Sequence, residues 1–305
     1  MRDLKRTHAR ERGASRDAQA HAPHDEQMNT PRDEQTNITH AEQTRARRDE
    51  QARAAHDDKA RLARPRAWRR FVTAALLFVY VVLWAGGAGR YLFVGTVDAD
   101  ETWLASLFLT VAGALVLSTA ASRRDFLTLV AVAIAGLFIE LCGARYGVPF
   151  GRYAYTGVLR PCVFGVPVVM AFAWTTLVAY VRQALSNLNL PWWAFALAAA
   201  AWMTLIDLVI DPLAANQLGY WRWTERGAYY GIPLTNFAGW FVSSLLIFAL
   251  AGRARRTNAA HRFTGASIVL FFTLVALSFQ LWTAALVGFA LCASDALLRA
   301  RQRLS

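Results

Sequence analysis

A chain of 305 residues that is 55% hydrophobic and carries a formal net charge of +12 has material for a large core, and its basic balance raises nucleic acid as a partner. The distribution of charge excludes that partner: residues 1–70 hold 17 of the 33 Lys and Arg and 12 of the 21 Asp and Glu, and beyond them the arginines flank long apolar runs, where anionic lipid headgroups are their natural contacts. Cys142, Cys162 and Cys292 form neither a CxxC pair nor a Cys/His ligand spacing, which excludes a structural zinc or disulfide framework and reads them as small buried hydrophobes.

Residues 1–68 lack the aliphatic side chains a core needs and are expected to form a disordered, charged, cytoplasmic tail. Asp25-Glu26-Gln27, Asp33-Glu34-Gln35, Ala41-Glu42-Gln43 and Asp49-Glu50-Gln51 recur there every eight residues. That period fits neither a heptad nor a solenoid, so the segment reads as low complexity.

A helix that crosses a hydrocarbon layer of about 30 Å needs about 20 mainly apolar residues. Such runs predict spans over 71–94, 103–120, 126–142, 162–181, 192–210 and 232–251. The stretch 266–298 is long for one helix and short for two, and neither Gly nor Pro marks a turn near Ser278-Phe279-Gln280. The expected fold class is all-α: a polytopic transmembrane helical bundle of seven or eight spans over residues 69–305. Arg64, Arg66, Arg69, Arg70, Arg123, Arg124, Arg182, Arg253, Arg255, Arg256 and Arg262 fall on one side, and fewer arginines fall on the other. The richer side is expected to be cytoplasmic, which makes this a multi-pass cell-membrane protein with a cytoplasmic N-terminus. Arg299, Arg301 and Arg303 favour the same side and so an even number of spans.

Intramembrane polarity concentrates in two connections on the opposite side. Glu140 stands at the far end of an apolar span, where a carboxylate must be neutral, paired or turned to a cavity. It either pairs with Arg145 or serves as a proton donor or base. Asp207 and Asp211 are spaced i, i+4, on one helix face and about 6 Å apart, so they can share a proton or hold a divalent cation. Pro212 is expected to end that helix. Trp174, Trp202, Trp221, Trp223, Tyr229, Tyr230 and Trp240 supply ring faces that attract cations, or else an interfacial aromatic belt. No GxxxxGK[ST], GxGxxG or HExxH motif is present, which disfavours ATPase, redox-cofactor and His-ligated metal chemistry.

Glu140, Arg145-Tyr-Gly-Val-Pro-Phe-Gly-Arg-Tyr-Ala-Tyr155, Gly165-Val-Pro167, Asp207…Asp211-Pro212, Trp221-Arg-Trp223 and Tyr229-Tyr-Gly-Ile-Pro-Leu-Thr-Asn-Phe-Ala-Gly-Trp240 occur in this order. Through these pieces the chain, over roughly residues 70–295, resembles the membrane carotenoid biosynthesis proteins, which include carotenoid hydratases of the γ-carotene and bisanhydrobacterioruberin type. The resemblance implies addition of water across a terminal isoprenoid double bond, with no cofactor and no metal. Under that reading Glu140, Asp207 and Asp211 are the candidate catalytic acids. Arg145, Arg152, Tyr153, Tyr155, Trp221, Trp223, Asn236 and Trp240 are the candidate substrate-binding residues. Arg145 and Arg152 are expected to hold one acid ionised. The implied partners are a lipophilic carotenoid, the bilayer and other membrane enzymes of carotenoid synthesis, with no nucleic acid. Two other readings stay open: Mg²⁺-dependent prenyl transfer at Asp207 and Asp211, and a non-catalytic carotenoid or lipid carrier.

Overall fold

A computed structural model describes residues 45–48, 50, 68–95 and 102–304. Within the predicted tail, residues 45–48, 50 and 68 are described and helical, and the rest of it lies outside the described residues. The chain divides at Ala63/Arg64, and everything below concerns the second unit.

This unit is a polytopic membrane bundle of eight helices among the described residues: α1 (Trp68–Phe93), α2 (Trp103–Ser118), α3 (Arg123–Tyr146), α4 (Val169–Ala184), α5 (Trp192–Asn216), α6 (Leu234–Ala251), α7 (Ala259–Ser278) and α8 (Trp282–Leu304). Six of them, all but α2 and α4, are long and apolar enough to cross a membrane. Phe78, Ile134, Phe138, Leu246, Leu250 and Leu286 are exposed on the outside, as side chains are where lipid is the solvent.

α4 is the central helix. It packs against α2, α3 and α7, and every side chain from Trp174 to Ala184 is buried. α5 packs against α6, α7 and α8. Local chemistry sets the helix ends. Ser122 caps α3 by accepting from the Asp125 N–H, Gly147 ends it in the left-handed conformation at φ 73°, and Asn258 caps α7 through the Ala260 and His261 N–H groups.

At one end of the bundle, buried polar groups join the α2–α3 and α6–α7 connections to the end of α4. Arg182 donates to Asp125 at 3.0 Å and to the Gly252 carbonyl at 2.9 Å, and Asn258 donates to the Thr119 carbonyl at 2.7 Å. Arg262 of α7 meets Asp295 of α8 at 2.9 Å close by in the fold's polar layer. The opposite end carries the short strands. β1 (Tyr153–Tyr155) pairs antiparallel with β4 (Trp221–Trp223), and β2 (Cys162–Val163) with β3 (Val166–Pro167).

Three expectations are corrected, and the open choice over residues 266–298 is decided. The predicted span 162–181 begins as the β2–β3 hairpin, because Pro161, Gly165 and Pro167 break helix there, and α4 starts only at Val169. Cys162 is exposed on that hairpin rather than buried. α5 runs through Pro212 to Asn216 instead of stopping at it. The stretch 266–298 is two helices, joined by a turn in which Gln280 takes φ 58°.

Candidate active site: a carboxyl cluster beneath an aromatic ribbon

The far end of α3, the start of α4, the end of α5 and the start of α6 converge at the strand-bearing end. They bring together Glu140, Asp207, Asp211 and Asn236, which are only 3%, 3%, 1% and 2% exposed. The two-stranded ribbon lies over them. Its register sets Tyr153 opposite Trp223 and Tyr155 opposite Trp221, with Ala154 opposite Arg222. Side chains alternate along a strand, so the four aromatics share one face while Ala154 and Arg222 lie exposed on the other. Each cross-strand pair is in ring contact, with centroids at 5.1 Å for Tyr153–Trp223 and 6.1 Å for Tyr155–Trp221.

Glu140 is held by three donors. Tyr153 and Tyr155 each donate to Oε2 at 2.7 Å, and the Trp174 indole donates to Oε1 at 3.0 Å. Burial, followed by the neighbouring Glu140 charge, pushes both phenols well above the usual tyrosine range, so both remain donors. Asn236 serves two acids with one nitrogen: Nδ2 donates to Asp207 Oδ2 at 2.7 Å and to Asp211 Oδ2 at 2.8 Å. Trp221 donates to Asp211 Oδ1 at 2.7 Å. Of the six carboxyl oxygens only Asp207 Oδ1 lacks a hydrogen bond among the described residues.

Two cavities meet here. An apolar chamber, about 620 Å³ of empty space that is partly open to the surroundings, is lined by Leu109, Leu177, Ile206, Ile268 and Phe272, with Asp207 its single acid. A second, polar cavity lies among Glu140, Tyr153, Tyr155, Asp211, Trp223 and Asn236. Met170, Trp221 and Trp240 line both. Trp240 is stacked flat on Trp174, with centroids 4.4 Å apart.

The structure thus brings together Glu140, Tyr153, Tyr155, Asp207, Asp211, Trp221, Trp223, Asn236 and Trp240. It does not bring in Arg145 or Arg152. Both are exposed, and Arg145 lies over the Tyr146 ring at 5.9 Å. Among the described residues the salt bridges join Arg182 to Asp125, and Arg262 and Arg299 to Asp295; none reaches the three acids. Neither a Glu140–Arg145 pair, one of the two readings of Glu140, nor an acid held ionised by arginine is present among the described residues: Arg145, in the last turn of α3, and Arg152, in the connection beyond it, are both exposed. Met170 and Phe150 line the site without having been singled out, and nothing polar about them marks them in the sequence. Trp174 stood among the aromatics, but its role as a donor to Glu140 depends on the packing of α3 on α4.

The architecture and the buried carboxyl cluster define an integral membrane protein whose polar centre adjoins an apolar chamber. The carotenoid biosynthesis protein family matches residues 101–297, and the chain belongs to that family. It is 35% identical over 132 residues to the bisanhydrobacterioruberin hydratase of Haloarcula japonica, a stretch that covers 40% of this chain and 42% of that protein. The chain therefore spans less than half the length of that relative. No solved structure matches the chain.

Proposed function

We propose that this protein is a carotenoid hydratase that adds water to a terminal isoprenoid double bond by acid/base catalysis, without a cofactor. One observation carries the reading. Asp207, alone among the three acids, has an uncommitted oxygen and also lines the apolar chamber. An apolar end group in that chamber meets a single carboxyl group.

An unpaired buried charge is costly, and here two carboxyl groups share one donor with no cation near. The pair is therefore best held with one proton, and Asp207 is the acid that carries it to the substrate. Transfer to the less substituted alkene carbon forms a C–H bond and leaves a tertiary cation. The Trp240 ring, fixed by its stack on Trp174, presents a π-face to that charge, and the Glu140 carboxylate adds negative potential from the other cavity.

Asp207 and Asp211 are met by the N–H donors of Asn236 and Trp221, groups that cannot ligate Mg²⁺, which favours hydration over prenyl transfer at this site. The arginines at the Arg182–Asp125 end support a cytoplasmic N-terminus in the cell membrane, with the site toward the opposite face.

The test is carotenoid mass analysis in a bacterium that makes lycopene or γ-carotene, with and without this protein. The expected result is a pigment heavier by one water, absent with Asp207→Asn and only reduced with Glu140→Gln. An unchanged profile with both acyclic-ended pigments, together with pigment that co-purifies unaltered, would replace catalysis by the carrier reading.

A further inference from the structure

The two cavities differ in chemistry as well as in position. Asp207 stands on the apolar one and Asp211 on the polar one, one helical turn apart on α5. About 20 Å³ of the polar cavity is open to the centre of a water molecule, which is room for about one. Trp223 lines this cavity from the ribbon. Its Nε1, shielded from solvent, has no hydrogen-bond partner among the described residues. A shielded N–H without a partner, on a water-sized cavity that Asp211 also lines, is a group that a bound water completes.

We propose that this cavity is the binding site of the attacking water, held by Trp223 as donor and by Asp211 as acceptor. The inference rests on the hydratase reading. Trp223 Nε1–H donates to the water oxygen, and one water O–H donates to Asp211, so one oxygen lone pair remains for carbon. Met170, Trp221 and Trp240 line both cavities, so a cation formed beside Asp207 lies at the boundary the water faces.

The bonds balance. The Asp207 O–H and the alkene π-bond break as C–H forms; the water oxygen then forms C–O with the tertiary carbon, and its O–H breaks toward Asp211. The proton on Asp211 returns to Asp207 through the two Oδ2 atoms that share the Asn236 donor, and rotation of the Asp207 carboxyl presents it to the chamber again. The net change is addition of one water, with both acids restored.

The experiment separates protonation from water capture. Purified protein is incubated in D₂O with lycopene, and carbon-bound deuterium is measured in both hydrated and unhydrated pigment. Wild type is expected to give hydrated product that carries deuterium on carbon. Trp223→Phe should lower hydration roughly tenfold, as for loss of one hydrogen bond, and Asp211→Asn on the order of 100-fold. In both variants the unhydrated pigment should gain deuterium, because the cation still forms and falls back by losing a proton. Asp207→Asn should lose both signals.

If Trp223→Phe fails to accumulate in the membrane, Asp211→Asn carries the same test. Undiminished hydration in either variant, or deuterium uptake lost in step with hydration, overturns the water site while leaving the hydratase reading in place. A wild type that neither hydrates nor exchanges overturns both.

Discussion

Pro212 has no N–H, so the carbonyl of Leu208, one turn earlier in α5, lacks its helical partner. Tyr229 supplies one from outside the helix, with its hydroxyl donating to that carbonyl at 3.0 Å. The contact falls between Asp207 and Asp211, so it steadies the backbone that spaces the two acids. Tyr229→Phe would orphan the carbonyl at a cost of about 1–3 kcal/mol, and hydration should fall with it. Thermal unfolding in detergent and the product ratio measure the two effects. The contact also has a pH signature. Burial pushes the phenol from 10.0 up to about 12. A raised folded-state value means that the contribution is fully present below about pH 10 and is lost as pH rises toward about 12. Wild type should lose stability across that window, and Tyr229→Phe should lose less.

The α7–α8 turn ends α7 with the bonds of a Schellman motif, from the Leu281 N–H to the Ala276 carbonyl and from the Gln280 N–H to the Leu277 carbonyl. The left-handed position there is usually a glycine, and a residue with a Cβ is disfavoured by about 1–2 kcal/mol. Gln280→Gly should therefore stabilise the protein by about 1 kcal/mol and leave hydration unchanged, measured by unfolding of the purified protein. The same residue explains why one or two helices stayed open in the sequence: the turn exists without the Gly or Pro that announces one. Most spans, and the acids at their ends, were legible because apolar length and a lone intramembrane carboxylate are local signals. The β1–β4 ribbon was not. Each strand has three residues, too few to display alternation, and the partner of Tyr153-Ala-Tyr155 lies far along the chain at Trp221-Arg-Trp223. Motif content pointed to these four aromatics, but their common face needs the register. Arg145 and Arg152 misled for the complementary reason, since closeness in sequence to Glu140 says nothing about which way a side chain points from α3 or from the connection after it.

Across the whole bundle, polar chemistry is divided between two ends. The Arg182–Asp125 and Asn258–Thr119 contacts tie connections together at one, and the carboxyl cluster with its ribbon occupies the other. The first end is a structural brace, in which the buried Arg182 has Asp125 as its partner. The second keeps three acids without a cation, a state that costs stability and is retained where chemistry needs it. An extended carotenoid is about as long as the bilayer is thick, and the carboxyl cluster lies at one end of the bundle, beneath the β1–β4 ribbon. A pigment with two reactive tips can thus present only one of them per visit. To have the other tip converted it must leave, turn end over end in the lipid and enter again. Conversion of such a pigment should be stepwise: in a time course, the singly hydrated compound should rise and fall before the doubly hydrated one dominates.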